Sequence, residues 1–277
     1  MIELTYLLAV FSSIAYGAAD FLGGLATKRT ALFAVVVFSQ LSGLILILLA
    51  LPVLPRSSPA AVDIAWGSAA GLAGGIGVAL LYRALSVGVM SVIAPVTAVC
   101  AVLIPLIVGV SLGERPTARA MLGVILAIVA IVLISQTGEK HAAAGVPIAI
   151  ASGIAIGMFL VFLGRTGSSG GLWPLIASRA VSVTFFAVAG LLTRKKIVPN
   201  RAAMSIVIGG GALDMVANVL YLLAVRRGLL SIVATLTSLY PTSTIILARI
   251  VLHERLRALQ QVGVACAALA IVLIVSG

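Results

Sequence analysis

The chain has 277 residues, of which 62% are hydrophobic and only 9% are charged, against roughly 25% charged residues in an ordinary soluble domain. This composition excludes a water-soluble globular protein and indicates a polytopic membrane protein. The formal net charge is +11, but most of the Lys and Arg residues lie between apolar stretches, where they meet lipid head groups. We therefore expect a lipid bilayer as a partner and no nucleic acid.

Ten apolar stretches follow one another along the chain with short connections. A helix needs about 20 mostly apolar residues to cross a hydrocarbon core of about 30 Å. The predicted spans are residues 4–26, 32–51, 62–84, 91–112, 118–135, 147–165, 172–192, 204–225, 232–252 and 258–275. The sequence therefore predicts an all-α integral membrane protein with ten transmembrane helices.

The chain contains an internal repeat of one five-helix unit. Leu112, Glu114, Arg115, Ala118, Gly123 and Val124 recur at a constant offset as Leu252, Glu254, Arg255, Ala258, Gly263 and Val264. A repeat with an odd number of spans sits upside down relative to its copy, and inverted repeats with a site between them are typical of transporters. We predict a first repeat at residues 1–138, a linker at 139–146, a second repeat at 147–277, and a central cavity between the repeats.

Ionisable residues inside membrane spans are costly, so each needs a partner or a function. Asp20 shares a face of the first helix with Tyr16, because the two residues are four positions apart. Asp214 shares a face of the eighth helix with Asn218, and Tyr221 lies near both. A third candidate is Arg179, near the middle of the seventh helix.

These residues have a functional and a structural interpretation. In the functional one, Asp20 or Asp214 exchanges a proton or holds a substrate amine, and Arg179 binds a substrate carboxylate through two parallel hydrogen bonds. In the structural one, Arg179 pairs with either Asp and only holds helices together, while Asp20 lies near the membrane interface. Tyr82 and Tyr221 lie one position away from exact repeat register. They are predicted to line the cavity, and the alternative, above all for Tyr82, is a place in the aromatic belt at the membrane interface.

The turns Leu112-Gly113-Glu114-Arg115 and Leu252-His253-Glu254-Arg255 resemble those of EamA-type drug/metabolite transporters, as does the whole two-repeat pattern. The resemblance implies a secondary carrier, often an exporter of amino acids, small metabolites or drugs, in a bacterial inner membrane. It also implies cytoplasmic termini, whereas Lys and Arg residues, which are commoner in the odd-numbered loops, favour external termini.

The leading hypothesis is a secondary active transporter that exports a small metabolite, most simply an amino acid, by alternating access. The alternative is a proton-coupled multidrug exporter of lipophilic cations, which would be favoured by a free embedded carboxylate and a paired Arg179. No His-Glu-x-x-His or Gly-x-Ser-x-Gly motif occurs, so we do not expect an enzyme. The sequence predicts no cofactor and no metal site, is compatible with a monomer, and leaves the oligomeric state open.

Overall fold

The computed structural model describes residues 2–53, 57–111, 117–135, 145–225, 227, 237, 239–253 and 258–275. Within these ranges the chain forms α1 (Ile2–Thr27), α2 (Leu32–Ala50), α3 (Ala61–Val87), α4 (Met90–Ser111), α5 (Ala118–Ser135), α6 (Val146–Gly164), α7 (Trp173–Leu192), α8 (Arg201–Val225), α9 (Tyr240–Val251) and α10 (Ala258–Val275). Two short 3-10 helices span Leu51–Val53 and Ser168–Gly170. The described residues contain no β-strand, so the all-α prediction is confirmed.

Six of these helices are long and apolar enough to cross a membrane, namely α1, α2, α3, α6, α7 and α8. Shorter apolar stretches occupy parts of α4, α5 and α10. Large aliphatic side chains such as Leu49, Leu192 and Ile250 are exposed, as expected of positions that face lipid. A multi-pass membrane fold is thus confirmed, and the count of ten spans stays a prediction.

Several predicted features lie wholly or partly outside the described residues. They are the motifs around Glu114 and Glu254, most of the linker at 139–146, and the first part of the predicted span at 232–252. The described part of that span, α9, begins at Tyr240 and has Pro241 in its first turn. Arg249 lies in its last turn and is exposed, a position from which a long basic side chain can extend toward lipid head groups.

The helices pack in a pattern that occurs twice. In one half of the pattern α1 packs against α8 and α9, and in the other α6 packs against α3 and α4. Likewise α2 contacts α8 while α7 contacts α3, and α5 pairs with α10. Replacing each helix by its counterpart in the other repeat converts the α1–α8 pair into the α6–α3 pair, and the α1–α9 pair into the α6–α4 pair. These main helix pairs join the two repeats, so each repeat packs mainly against its copy.

Glycines make this close packing possible at corresponding positions. A Cβ on Gly17 would collide with Tyr240 and Thr244 of α9, and one on Gly157 would collide with Ala101 and Ile104 of α4. The repeat register places Gly157 opposite Gly17 and Ile104 opposite Thr244. Small residues let helix backbones approach in lipid, where apolar contact alone gives no preference for another helix.

Two side-chain ties hold the repeats together at opposite ends of the bundle. Asp63, in the first turn of α3, accepts a 2.6 Å hydrogen bond from the backbone N–H of Gly167, between α6 and α7. Asn200, just before α8, donates a 3.0 Å bond to the carbonyl of Arg29, between α1 and α2. Its Oδ1 also accepts from Ala203 N at 2.8 Å, as a helix cap does.

Candidate functional site

A cavity of about 110 Å³ lies where the two repeats meet. Its polar lining consists of Tyr16, Asp20, Gln40, Ser178, Arg179, Ser182, Asp214, Asn218, Tyr221, Thr237 and Tyr240. Six of the seven predicted site residues are in this set, brought together from α1, α7 and α8. Their common position follows from the fold, and their role in binding a substrate remains a prediction.

Arg179 is held inside the bundle by two partners. Its guanidinium forms an ion pair with Asp214 of α8 and donates a second hydrogen bond to the side-chain oxygen of Gln40 on α2. The side chains of Arg179 and Asp214 are only 9% and 14% exposed. The sequence left open which Asp residue pairs with Arg179. In the structure the partner is Asp214, and two of the guanidinium donors of Arg179 are engaged.

Asp214 and Asn218 form a fixed polar turn on α8. The Asn218 amide nitrogen donates to the backbone carbonyl of Asp214 at 2.7 Å, one helical turn earlier. This bond fixes the amide plane and leaves Oδ1 of Asn218 buried without a hydrogen-bond partner among the described residues. Asn218 therefore offers an acceptor whose position is already set.

Asp20 is the embedded carboxylate that is not neutralised. It lies on α1, is 8% exposed and lines the cavity. Among the described residues, no side chain forms an ion pair with it and no hydrogen bond reaches it. Packing of α1 against α8 encloses the Asp20 side chain within the bundle, while the interpretation that Asp20 lies near the membrane interface stays a hypothesis.

Further polar atoms around the cavity also lack partners. Besides Asn218 Oδ1, the hydroxyls of Ser182, Thr237 and Tyr240 are buried and make no hydrogen bond within the described part of the chain. An unsatisfied buried polar group costs about 1–3 kcal/mol. Several such groups around one cavity indicate that it accommodates water or a polar ligand.

Of the tyrosines Tyr16, Tyr82, Tyr221 and Tyr240, three line the cavity and one does not. Tyr16 and Tyr240 meet edge to face with ring centroids 6.4 Å apart, and Tyr221 completes the aromatic lining. Tyr82, predicted to line the cavity, instead packs its ring against Gly23 and is 2% exposed. The residue in exact register with Tyr221 is Leu81, and it is Leu81 that lines the cavity.

Gln40 was not identified from the sequence as a site residue. Its side chain is an uncharged amide in a stretch without charged residues, so it does not stand out as Asp20 does. What could have marked it is that an amide in a membrane span needs a hydrogen-bond partner. In the structure it is 3% exposed and supplies that partner to Arg179. Its position on α2, where α2 crosses α7, could not be read from periodicity.

The charges of the lining do not cancel. Among the described lining residues, two carboxylates, those of Asp20 and Asp214, face one guanidinium, that of Arg179. With all three groups ionised, these residues carry one negative charge in excess. A site of this kind can bind one proton or one organic cation, and the aromatic rings add a further attraction for an ammonium group. Among the described residues, no cluster of three His, Cys, Asp or Glu side chains could hold a metal ion.

Comparison with known proteins adds a family relationship. Residues 3–136 and 143–276 each match the family model described as the EamA-like transporter family. A solved structure whose printed description is "Crystal structure of protein" aligns with a TM-score of 0.60 at 15% identity, covering 95% of this chain and 97% of that chain. At that identity the likeness concerns the fold alone. No protein with a curated description matches the sequence.

Proposed function

Because the chain belongs to the EamA-like transporter family, we propose that it is a secondary active transporter that exports a small amine-bearing metabolite in exchange for a proton. One observation carries this proposal: Asp20 lines the cavity and has no partner in the described part of the chain, while Arg179 is already paired with Asp214. The free carboxylate is the exchange site, and the paired guanidinium is part of the scaffold.

The exchange follows from competition at one carboxylate. When the cavity is open to the cytoplasm, the protonated carboxyl of Asp20 releases its proton and the carboxylate binds the ammonium group of the substrate. After the repeats rock to open the other side, a proton from that side displaces the ammonium group. An ionised Asp20 with no ligand is costly inside the bundle. The repeats therefore rock from one open side to the other with either a proton or the substrate ammonium group bound at Asp20.

Charge and volume favour a small organic cation over the other substrate classes. Arg179 has two of its donors engaged, so a clamp for a substrate carboxylate is not free. A cavity of about 150 Å³ holds benzene, and the volume here is about 110 Å³. This conformation therefore suits a cation of roughly four or five heavy atoms, which is smaller than a typical lipophilic drug.

A zwitterionic amino acid is the second candidate, and one observation favours it. The buried hydroxyls of Ser182, Thr237 and Tyr240 have no partners in the described part of the chain. Hydroxyl groups can donate to a carboxylate, so an amino acid could place its ammonium group at Asp20 and its carboxylate at these hydroxyls. In that case Arg179 would contribute only its remaining donors.

The setting of this activity is also part of the proposal. We assign the protein to a bacterial inner membrane, since residues 16–24 of α1 resemble first-helix sequences of bacterial EamA-type carriers. The two repeats enclose the cavity within a single chain, so a monomer suffices for the transport cycle.

Flux measurements in proteoliposomes distinguish the two substrate classes by their electrical signature. Labelled tetramethylammonium and labelled alanine are tested separately, each under a pH gradient and under a potassium diffusion potential. Exchange of one proton for one monovalent cation moves no net charge, so a potential of 100 mV has no effect. Exchange of one proton for a zwitterion moves one charge, worth about 2.3 kcal/mol at 100 mV, and shifts the accumulation ratio about 50-fold.

Two variants define the role of Asp20. Asp20→Asn removes the exchange site, so we expect loss of flux driven by the pH gradient. The matched control is Asp63→Asn, which neutralises a buried carboxylate outside the cavity and should keep the flux. Gradient-driven flux of either compound that survives Asp20→Asn would overturn the exchange mechanism, and the absence of flux for both in the native protein would overturn the substrate proposal.

A further inference from the structure

We propose that the cavity recognises an amphipathic amine, with its ammonium group on a polar wall formed by α1, α8 and α9 and its apolar group on a separate wall formed by α3, α4 and α6. This inference rests on the proposed function, because the ammonium position is assigned to Asp20. It adds the chemistry of the rest of the substrate.

The two walls are copies of each other with opposite chemistry. Exact repeat register pairs polar lining residues of α1 and α8 with apolar lining residues of α6 and α3, as in Asp20 with Leu160, Asn218 with Val78, and Tyr221 with Leu81. All six side chains line the cavity. The inverted repeats thus provide two corresponding surfaces. The one on α1 and α8 carries polar side chains, and the one on α6 and α3 carries apolar side chains.

Gly74 completes the apolar wall. It occupies the register position of Asp214 and lines the cavity without contributing a side chain. A Cβ at this position would lie 2.7 Å from Cδ2 of Phe159, whose ring also lines the cavity. Because Gly74 has no side chain, the Phe159 ring of α6 has room beside α3. The corresponding position on the polar wall carries the Asp214 carboxylate.

No charged side chain is present among the described lining residues of α3, α4 and α6. Ser182 Oγ of α7 borders this wall at Gly75. Against the apolar side chains of Val78, Leu81 and Leu160, however, a hydroxyl or second ammonium group would lose its water without gaining a partner from the wall, which is unfavourable. Each methylene placed there instead improves binding about fourfold. The apolar wall therefore selects an alkyl or aryl group, and the cavity volume limits its size.

Binding of n-alkylamines to the purified protein in detergent tests this division. The series runs from methylamine to hexylamine, and isothermal titration calorimetry gives each Kd. Asp20→Asn, measured in parallel, corrects for partition of the longer amines into the detergent. We expect the Asp20-dependent affinity to rise about fourfold per methylene and to level off near butylamine, when the cavity is full.

Val78→Thr tests the apolar wall itself, since threonine has nearly the shape of valine and adds a hydroxyl. We expect the variant to weaken butylamine at least about fourfold, the loss of one methylene contact, and to leave methylamine unchanged. Val62→Thr makes the same change on an exposed part of α3 and is the matched control, expected to have no effect on either ligand.

The outcomes separate this inference from the function on which it rests. Asp20-dependent binding that does not vary with chain length, or equal effects of Val78→Thr and Val62→Thr, would overturn the amphipathic division and leave the exchange site standing. No Asp20-dependent binding of any amine would overturn the proposed function itself. A rising series that is weakened only by Val78→Thr supports both.

Discussion

Replacing Asp214 by Asn removes the charge that neutralises Arg179 inside the bundle while keeping the size of the side chain. The Asp214 side chain is 14% exposed and that of Arg179 is 9% exposed, so water replaces little of the lost attraction. Gln40 continues to accept one hydrogen bond from the guanidinium. The variant therefore isolates the effect of an uncompensated buried charge.

Removing one partner of a buried ion pair costs about 3–5 kcal/mol. We expect a loss near the lower limit, about 3 kcal/mol, because Gln40 and the new amide oxygen still bind the guanidinium. Replacing all three members of the network by apolar residues, Arg179→Met with Asp214→Leu and Gln40→Leu, removes the charge, its counter-charge and the amide that would otherwise lose its partner. We expect this triple variant to lie within about 1 kcal/mol of the native protein or to be more stable.

Unfolding in mixed micelles with increasing SDS, followed by the fluorescence of Trp66 and Trp173, gives the free energy of unfolding. Trp66 stacks on Phe162 with ring centroids 5.7 Å apart, so its environment changes when α3 and α6 separate. A loss below about 0.5 kcal/mol in Asp214→Asn, the range of ordinary surface changes, would refute the buried pair. So would a triple variant that is no more stable than Asp214→Asn.

Three further predictions use the same unfolding titration. Asp20→Asn should raise the free energy of unfolding by about 1 kcal/mol or more, because an unpaired buried carboxylate is replaced by a neutral amide; a loss would reveal a partner for Asp20. Asp63→Ala should lower the free energy of unfolding by about 2 kcal/mol, the value of hydrogen bonds to a charged group. Asn200→Ala should lower it by about 1 kcal/mol, the value of a helix cap. A larger loss for Asn200→Ala than for Asp63→Ala would contradict the burial of Asp63. Gly71→Ala should destabilise by about 1–3 kcal/mol, because its Cβ would meet the backbone of α7. Gly209→Ala, with open space around the new Cβ, should be neutral or stabilising by up to about 1 kcal/mol, and equal effects would contradict the close packing.

Much of the architecture could be predicted without coordinates because it depends on composition and periodicity. The length of an apolar run sets whether a helix can span a bilayer, and the recurrence of Gly17 as Gly157 follows directly from the aligned repeats. The same holds for candidate site residues. An ionisable group such as Asp20 in an apolar helix is costly, so its presence alone marks it.

The partners of these groups could not be predicted in the same way. Helical spacing places Asp20 and Asp214 on polar faces of their own helices, and either could have met Arg179. The choice depends on how α1, α7 and α8 cross. Likewise, one residue along a helix turns the side chain by about 100°, so Leu81 lines the cavity and Tyr82 packs against Gly23.

The sequence by itself determined the environment, the helical class, the doubled unit and the small set of residues that a membrane helix would not carry without a reason. Those properties are local or periodic, and a linear chain records them. Only the tertiary structure decided that Arg179 is neutralised by Asp214, that Asp20 is left facing the cavity, and that Gln40 supports the pair. These depend on contacts between helices that are distant in the chain, and packing of their backbones sets which side chains meet.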